Sequence, residues 1–337
     1  MSLPCLGDFD YLQKKVLVRC DLDVPLEKGK IRENSRIKEC LPTVQHLLEE
    51  GAVVILAGHL SRPEGREVAE LMMMPVAEEI VRLLNQGFVE KTEIGDFSGY
   101  KLGKNLFLLE NLRFFQGEEA NSPEFAEKLS SLADLYVNEA FGVSHRKHAS
   151  IVGVPLRLPS AAGFHFEKEV ENLSKSIEKP QRPVVFVIGG AKPETKLPLV
   201  YKFAEKADWV LVGGTLVRVR DRVRVENNII FADLKESGFD ITKESIKKFL
   251  EIIAKAKTIV WNGPLGKYED EKWEAGTREV AEAVAQASAY KIVGGGDTIA
   301  SLTKFKLIDK MDYVSTAGGA MLEYLAYGSL PGIEALK

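Results

Sequence analysis

Short apolar runs without alternating polar residues recur along the whole 337-residue chain, and they constrain its fold more than any other feature. Each run ends in glycine or polar residues and precedes a longer segment with helical spacing of apolar residues. Strands that are apolar on both faces belong to parallel sheets that helices cover on both sides. We therefore predict an α/β protein with strands at 16–19, 52–58, 106–110, 135–141, 184–190, 209–214, 258–264, 291–297 and 313–319.

Helical segments separate these strands. Residues 35–51 end at Gly51, residues 122–133 open with Ser122 as N-cap and Pro123 in the first turn, and residues 272–288 form a third segment. A charged segment at 166–183 is helical in pattern and stopped by prolines. At about 150 residues per domain the chain suggests two domains, so we interpret 166–183 as their connector, with a surface helix inside one domain as the alternative.

One segment, 217–228, alternates charged residues with valine and fits neither pattern. Such alternation is typical of a solvated edge, which is the favoured interpretation. A half-exposed strand pair and a shortened loop are the alternatives.

Charge and cysteine content exclude several classes of protein. The formal net charge of −4 and pI near 5.9 give no basic footprint, which disfavours a nucleic-acid partner. The three cysteines, Cys5, Cys20 and Cys40, are odd in number and lack metal-ligand spacing, which indicates a reducing compartment. There is no signal-peptide pattern and no run of about 18 apolar residues, so we expect a cytoplasmic protein without a membrane partner.

Polar residues collect where the strands of the first half end. Ligands of open parallel sheets bind at the carboxyl ends of the strands, and arginine forks match carboxylate and phosphate oxygens. The arginine cluster of Arg36, Arg62, Arg113 and Arg146 therefore suits a small acid that also carries phosphate, although ordinary exposed arginines paired with glutamates are the alternative. The strand ends contribute Arg19, Asp21, Asp23, His59, Ser61, Arg62, Glu110, Asn111, Arg113, Asn138, Glu139, His145, Arg146 and His148.

Two other kinds of site are disfavoured in this half. The histidines show no HxH or HExxH spacing, so a metal centre is not indicated, and a structural or anion-contacting role is favoured. There is no GxSxG turn, which argues against a serine hydrolase.

Glycine-rich strand ends mark the second half: GGAK at 189–192, GGT at 213–215, NGPLG at 262–266 and GGGDT at 294–298. We call these four loops the glycine edge. Glycine lets backbone N–H groups approach an anion, and a following helix N-terminus adds partial positive charge, although tight turns alone are the alternative. Neither a GxxxxGK[ST] loop nor a GxGxxG turn is present, which disfavours a P-loop protein and a dehydrogenase.

Three side chains of the glycine edge carry charge. Lys192 and Lys196 would neutralise a phosphate that is being transferred. Asp297 would either hold a magnesium ion that bridges nucleotide phosphates or act as the N-cap of the following helix.

Eight motifs in order resemble the phosphoglycerate kinase family: VRCDLDVPL, SRIKECLPTVQHLLEEGAVVILAGHLSRP, LLENLRF, YVNEAFGVSHRKHAS, GGAKPETK, TIVWNGPLGKYE, VGGGDT and VSTAGGA. The resemblance covers essentially the whole chain. It implies two Rossmann-like parallel-sheet α/β domains joined by a helical hinge. It also implies reversible phosphoryl transfer between 1,3-bisphosphoglycerate and ADP, giving 3-phosphoglycerate and ATP, with Mg²⁺.

The resemblance assigns site residues by motif. The 3-phosphoglycerate side would comprise Asp21, Asp23, Arg36, His59, Arg62, Arg113 and Arg146. The nucleotide side would comprise Gly190, Ala191, Lys192, Lys196, Gly213, Gly214, Asn262, Pro264, Gly266, Glu269, Gly295, Gly296, Asp297 and Thr298. Asp297 would meet the metal directly or through the nucleotide phosphates, and Arg36, Lys192 and Lys196 would be catalytic.

The resemblance also implies domain bounds and a mechanism. We expect a 3-phosphoglycerate domain at 1–165, the interdomain helix at 166–183, a nucleotide domain at 184–320 and a tail at 321–337 that returns to the first domain. Domain closure and electrostatic stabilisation would drive the reaction, since the attacking ADP oxygen is already anionic. We expect a monomer, and a catalytically inactive nucleotide-binding regulatory module is the hypothesis from another class.

Four features depart from the family pattern. Asp23 stands where asparagine is usual, Pro193 follows the GGAK turn, and Ala317 replaces a glycine. The chain is also short for the family, and we place the loss around 215–240, which leaves the adenine pocket and the nucleotide preference open.

Overall fold

The structure is a computed structural model that describes residues 3–85, 87–222 and 226–337. Its strands are β1 Lys15–Cys20, β2 Leu26–Glu27, β3 Lys30–Ile31, β4 Val53–Ala57, β5 Glu90–Ile94, β6 Phe97–Lys101, β7 Leu106–Leu109, β8 Leu135–Glu139, β9 Ser160–Ala162, β10 Val184–Ile188, β11 Trp209–Val212, β12 Ile229–Phe231, β13 Thr258–Asn262, β14 Tyr290–Gly294 and β15 Tyr313–Ser315. Its α-helices are α1 Ser35–Glu49, α2 Met74–Leu84, α3 Gln116–Glu119, α4 Pro123–Ser130, α5 Phe164–Ser174, α6 Pro193–Ala204, α7 Lys243–Ile253, α8 Ala275–Gln286, α9 Gly296–Lys304, α10 Gly319–Tyr327 and α11 Pro331–Glu334.

The chain divides into two compact units. The first comprises Met1–Glu169 and Leu330–Lys337, and the second comprises Val170–Ser329. The two-domain α/β fold expected from the sequence is confirmed.

The first unit is built around one mixed sheet. Among its described residues the strand order is β5-β6-β7-β4-β1-β8-β9. β1 pairs in parallel with β4 and β8, so that Arg19 lies opposite Ala57 and Asn138. This register brings the carboxyl ends of the three strands to one edge of the sheet. The C-terminal segment of this unit is tied to it by the Gly332 amide, which donates to the Ser144 carbonyl at 2.9 Å.

The second unit is built around a parallel sheet. Among its described residues the strand order is β12-β11-β10-β13-β14-β15, and every pairing is parallel. Ile188 lies opposite Val212 and Asn262, and Asn262 lies opposite Gly294. The glycine edge therefore lies along one edge of the sheet. All five residues of β10 and of β13 are buried, as the apolar runs predicted.

Several sequence predictions are corrected by the structure. The hairpin of β5 and β6 was not predicted, because its sequences EKTEI and FSGYK contain no apolar run. β6 is antiparallel to both neighbours, so the first sheet is not purely parallel. The predicted helix at 166–183 is α5, which begins at Phe164 and ends at Ser174.

The structure also bears on the interpretations of the segment at 217–228. Its first part belongs to a 3₁₀ helix, Gly214–Arg222, and residues 223–225 lie outside the described residues. Leu216 and Val217 are buried while Arg218 and Arg220 are exposed. The strand-pair interpretation is therefore wrong for the described part, which is a tight helix that buries Leu216 and Val217 and leaves Val219 partly exposed.

Candidate active site

At the carboxyl edge of the first sheet, Arg36 contacts the two aspartates that follow β1. The Arg36 Nη1 atom lies 3.2 Å from Asp21 Oδ1 and 3.1 Å from the Asp23 carbonyl. The neighbouring carboxylates, Asp21 first, raise the pKa of Arg36, so the guanidinium stays charged. α1 presents Arg36 in its first turn, which holds the guanidinium over the end of β1.

Ser61 connects Asp23 to Arg113. Its amide donates to Asp23 Oδ1 at 2.8 Å, and its carbonyl accepts from Arg113 Nη1 at 2.7 Å. Ser61 has a φ of 54°, in the left-handed region that residues other than glycine rarely adopt. Nothing in the sequence pattern signalled this backbone bridge.

The histidines at this edge are neutral at pH 7. Burial and then Arg146 lower the pKa of His145 to about 4, and burial and then Arg113 lower the pKa of His148 to about 3. Burial and the nearby arginines also hold the pKa of His59 well below its usual range. Arginines therefore supply the positive charge of this edge.

The structure places the other predicted residues of this half as follows. Arg113 is buried and Arg62 and Arg146 are exposed. Glu110 is a structural residue, because its carboxylate accepts from the Met73 and Asn111 amides and from the Tyr100 hydroxyl, each at 2.8 Å. Asn111 fixes the loop that carries His59 and Arg62, since its amide donates to the Leu60 carbonyl at 2.9 Å.

Lys196 is the most enclosed cation of the glycine edge described here. Its Nζ atom donates to the Gly189 carbonyl at 2.7 Å and to Asn262 Oδ1 at 2.8 Å. Burial lowers the pKa of Lys196 to about 8, against a smaller opposing effect of Asp297. Gly263 has a φ of 96°, and a Cβ there would clash with the Gly189 backbone carbonyl that accepts from Nζ, so glycine is required at this position.

The loops of the glycine edge are bonded to one another. The Gly190 amide donates to the Pro264 carbonyl at 2.8 Å, and the Thr215 amide and hydroxyl donate to the Gly190 carbonyl at 3.1 and 2.9 Å. Gly214 has a φ of 63°, and a Cβ there would lie 2.7 Å from the Gly190 nitrogen. These glycines therefore form tight turns, and the Gly190 amide is hydrogen-bonded to the Pro264 carbonyl within the protein.

The remaining predicted residues divide by exposure. The exposed residues are Ala191, Lys192, Glu269, Gly296 and Asp297. The buried residues are Gly213, Asn262, Pro264 and Thr298, and those of intermediate exposure are Gly190, Gly214, Gly266 and Gly295. Asp297 lies in the first turn of α9 and Gly295 is the N-cap, so the N-cap interpretation of Asp297 is wrong. The Thr298 hydroxyl accepts from the Gly263 amide at 2.7 Å, which joins α9 to the end of β13.

Sequence reasoning also missed an aromatic residue beside these loops. Phe239 is 50% exposed, and its carbonyl accepts from the Lys267 amide at 2.8 Å, just after the NGPLG loop. The preceding Gly238 carbonyl accepts from Arg218 Nη2 at 3.1 Å. An isolated phenylalanine in a polar stretch gives no sequence signal of such a position.

Two further observations concern metal ions and membranes. Among the described residues, no group of three or more His, Cys, Asp or Glu side chains is arranged to hold a metal ion. No helix in the described part of the chain is long and apolar enough to cross a membrane.

Together, the arginine cluster on one unit and the glycine edge on the other define an α/β enzyme for phosphorylated small molecules. Known proteins identify the class further. The sequence model of the phosphoglycerate kinase family matches residues 6–220 and 218–327. The phosphoglycerate kinase of Borrelia hermsii is 37% identical over 392 aligned positions that cover 100% of both chains. That of Dictyoglomus turgidum is 38% identical over 389 positions that cover 98% of both.

Solved structures agree with the sequence comparisons. The phosphoglycerate kinase of Coxiella burnetii has a TM-score of 0.85 at 35% identity, with 99% of each chain covered. That of Pyrococcus horikoshii OT3 has a TM-score of 0.83 at 30% identity, covering 99% of this chain and 98% of the other. The chain belongs to the phosphoglycerate kinase family.

Its activity is the glycolytic phosphoryl transfer of that family: 1,3-bisphosphoglycerate and ADP are interconverted with 3-phosphoglycerate and ATP. ATP and ADP are therefore its co-substrates. The hypothesis of an inactive regulatory module is not supported.

Proposed function

We propose that Arg36, Lys192 and Lys196 stabilise the phosphoryl group during transfer. The observation that carries this proposal is the environment of Lys196. Its ammonium is bonded to two neutral oxygens, the Gly189 carbonyl and Asn262 Oδ1, at the end of a parallel strand. A partly buried cation whose partners are neutral is stabilised when an anion binds beside it.

The 3-phosphoglycerate side is assigned to Asp21, Asp23, Arg36, His59, Arg62, Arg113 and Arg146. Its support is the chain of contacts from Arg36 through Asp23 and Ser61 to Arg113, which holds three strand ends together. Arginine forks bind both the carboxylate and the phosphate of this substrate. The exposed Arg62 and Arg146 would close on the bound anion.

The nucleotide side is assigned to Gly190, Ala191, Lys192, Lys196, Gly213, Gly214, Asn262, Pro264, Gly266, Glu269, Gly295, Gly296, Asp297 and Thr298. α6 and α9 both begin at this edge, after β10 and β14, and helix N-termini favour phosphate. The exposed Asp297 in the first turn of α9 fits a magnesium ion, because Mg²⁺ uses one or two carboxylates together with substrate phosphates and water. When bound, the ion would neutralise phosphate charge.

The residues act by position and charge rather than by proton transfer. A terminal phosphate oxygen of ADP attacks the phosphorus of the acyl phosphate, and the bond from phosphorus to the carboxyl oxygen breaks, which leaves the carboxylate of 3-phosphoglycerate. No proton moves, so no general base is needed. The positive charges of Arg36 and the two lysines would stabilise the negative charge on the three outer oxygens of the group in transit.

We further propose the conditions under which the enzyme works. The two bound substrates must meet for transfer, so closure of the domains accompanies the reaction, with hinges at the connector and near 315–319. Its three cysteines are free, which supports the cytoplasm as its location. We also propose a monomer that acts on small molecules and not on nucleic acid.

Substitution of the cations tests the proposal. We expect Arg36→Ala and Lys196→Ala each to lower kcat by about 100-fold, because each removes charge that meets the transition state. Matched controls are Arg32→Ala and Lys202→Ala, whose side chains are 65% and 43% exposed. A kcat of Arg36→Ala within about threefold of wild type, less than ~1 kcal/mol, would contradict the role of Arg36.

A further inference from the structure

Arg19 is a fully buried arginine at the end of β1 that none of the roles above uses. Its Nε atom donates to Ser150 Oγ at 2.8 Å, and its Nη1 atom donates to the Cys20 carbonyl. Glu118 Oε1 lies 3.9 Å from Nη2 and supplies the opposite charge. Glu118 is itself fixed, because it accepts from the Ser150 amide and hydroxyl at 2.9 and 2.6 Å. The guanidinium is therefore held in one orientation.

The remaining contact of Arg19 is with His59. Arg19 Nη2 lies 3.2 Å from His59 Nδ1, and both side chains are buried. A guanidinium only donates hydrogen bonds, so Nδ1 has to accept and cannot carry a proton. Turning the ring over would set a carbon-bound hydrogen against the guanidinium and leave a buried N–H without a partner. In the neutral ring the proton therefore lies on Nε2.

The charges around His59 keep the ring neutral. Burial is the largest cause that holds the pKa of His59 well below its usual range, and the charges of Arg19, Arg113 and Arg36 act in the same direction. Asp23 faces the ring from the other side, with Oδ2 3.7 Å from Nε2. The Nε2 side of the ring thus faces Asp23, whose Oδ1 accepts from the Ser61 amide.

We propose that Arg19 is a positioning residue that fixes His59 as the neutral Nε2–H tautomer, so that the ring donates one hydrogen bond to an anionic oxygen of the phosphoglycerate. The inference rests on the proposed substrate contact of His59. It gives His59 a single fixed donor, and it excludes the ring as a proton source during the reaction.

The direct test is nitrogen NMR of the full chain labelled with ¹⁵N at histidine and arginine, with His59→Gln used to assign the signals. We expect a proton on Nε2 only, unchanged between about pH 5.5 and pH 8. We also expect a coupling across the hydrogen bond from Arg19 Nη2 to His59 Nδ1. A proton on Nδ1, or a ring that titrates near its ordinary pKa, would overturn the proposal.

A variant isolates the role of Arg19. Arg19→Met combined with Glu118→Gln removes the cation without leaving a buried carboxylate unpaired. We expect Nδ1–H to appear and the ring to titrate at higher pH, since both the donor and its charge are gone. If the variant folds and His59 keeps only Nε2–H, Arg19 does not set the tautomer. If the variant does not fold, the proposal is tested by the wild type alone, where absence of the coupling from Arg19 Nη2 to His59 Nδ1 would overturn it.

The substrate contact is tested separately. The amide nitrogen of glutamine can replace Nε2–H, whereas asparagine is too short to reach that position. We expect the KM for 3-phosphoglycerate to be about tenfold higher in His59→Asn than in His59→Gln. An unchanged KM in both would refute the substrate contact while leaving the tautomer intact, so the two failures are distinguishable.

Discussion

Lys196 combines burial with neutral hydrogen-bond partners, and this combination makes nucleotide binding depend on pH. Its pKa is lowered to about 8 by burial, so the ammonium is largely charged below that value and neutral above it. An anion binds better to the charged form. We expect the Kd for MgADP to rise several-fold between about pH 7 and pH 9.5.

Calorimetric titration at the two pH values measures this effect. Lys196→Arg stays charged throughout, so its Kd should change much less over the same range. Lys192→Arg is the matched control, because Lys192 is the exposed N-cap residue that precedes the same helix. Equal pH dependence of the wild type and Lys196→Arg would show that another group is responsible.

Asp23 departs from the asparagine that the family usually has, and the structure shows how its charge is accommodated. Its carboxylate accepts from the Ser61 amide and faces His59, while Arg36 contacts its carbonyl. An asparagine oxygen could keep the Ser61 hydrogen bond and lose the repulsion of an anionic substrate.

We therefore expect Asp23→Asn to lower the KM for 3-phosphoglycerate by about threefold to tenfold. Steady-state kinetics measure the change, and Asp10→Asn, an exposed residue that bonds the Leu12 amide, serves as control. An increase in KM would mean that the carboxylate itself helps to bind the substrate.

Single residues were predictable from sequence where a motif fixed them. The spacing of Lys192 and Lys196 and the strand-end arginines follow from the chain alone. By contrast, the Ser61 bridge and the Arg19–His59 contact join segments that are far apart in sequence, and only the folded sheet brings them together. Asp297 shows the limit in another way, because the helix begins two residues earlier than an Asp297 N-cap requires and Gly295 caps α9 instead.

At the scale of elements, α5 is anchored by a buried carboxylate. Glu139, at the end of β8, accepts from Thr43 Oγ1 at 2.6 Å and from the His165 and Phe166 amides at 3.0 and 3.1 Å. These amides belong to the first turn of α5 and would otherwise lack partners. Burial raises the pKa of Glu139 to about 7.

This pKa predicts the sign of a stability change. Because the folded pKa lies above the unfolded value of 4.5, the native state binds the proton more tightly. The free energy of unfolding should therefore fall, by up to a few kcal/mol, as the pH rises from about 4.5 to about 7. Glu139→Gln removes this contribution and keeps one of the two acceptor oxygens, so that one of the His165 and Phe166 amides retains its partner.

Urea unfolding at about pH 5 and pH 8 measures the difference between wild type and Glu139→Gln. We expect the variant to lose less stability than the wild type on going to the higher pH. Glu127→Gln, at an exposed position of α4, is the control. Parallel pH profiles of wild type and Glu139→Gln would contradict the anchoring account.

Elements with long apolar runs were predictable, whereas polar edge elements were not. Each of the nine predicted strands corresponds to an observed strand, and Ser122 caps α4 by accepting from the Phe125 amide at 3.2 Å. The β5–β6 hairpin and the two-residue strands β2 and β3 lie at edges or outside the main sheets, and their sequences contain no long apolar run.

At the scale of the whole molecule, the chain is a short member of its family. Its alignment with the Borrelia hermsii protein spans 392 positions, whereas this chain has 337 residues. The two matched segments of the family model meet at residues 218–220, within the region where we placed the loss. Residues 218–220 belong to the 3₁₀ helix that follows β11.

We propose that the residues assigned above carry out the phosphoryl transfer between nucleotide and phosphoglycerate in this chain. The most direct measurement is a coupled assay of the purified full chain with 3-phosphoglycerate, ATP and Mg²⁺. We predict turnover that requires all three components and falls about 100-fold in Lys196→Ala, while Lys202→Ala behaves as wild type. No turnover, or ATP hydrolysis that does not need 3-phosphoglycerate, would contradict the account.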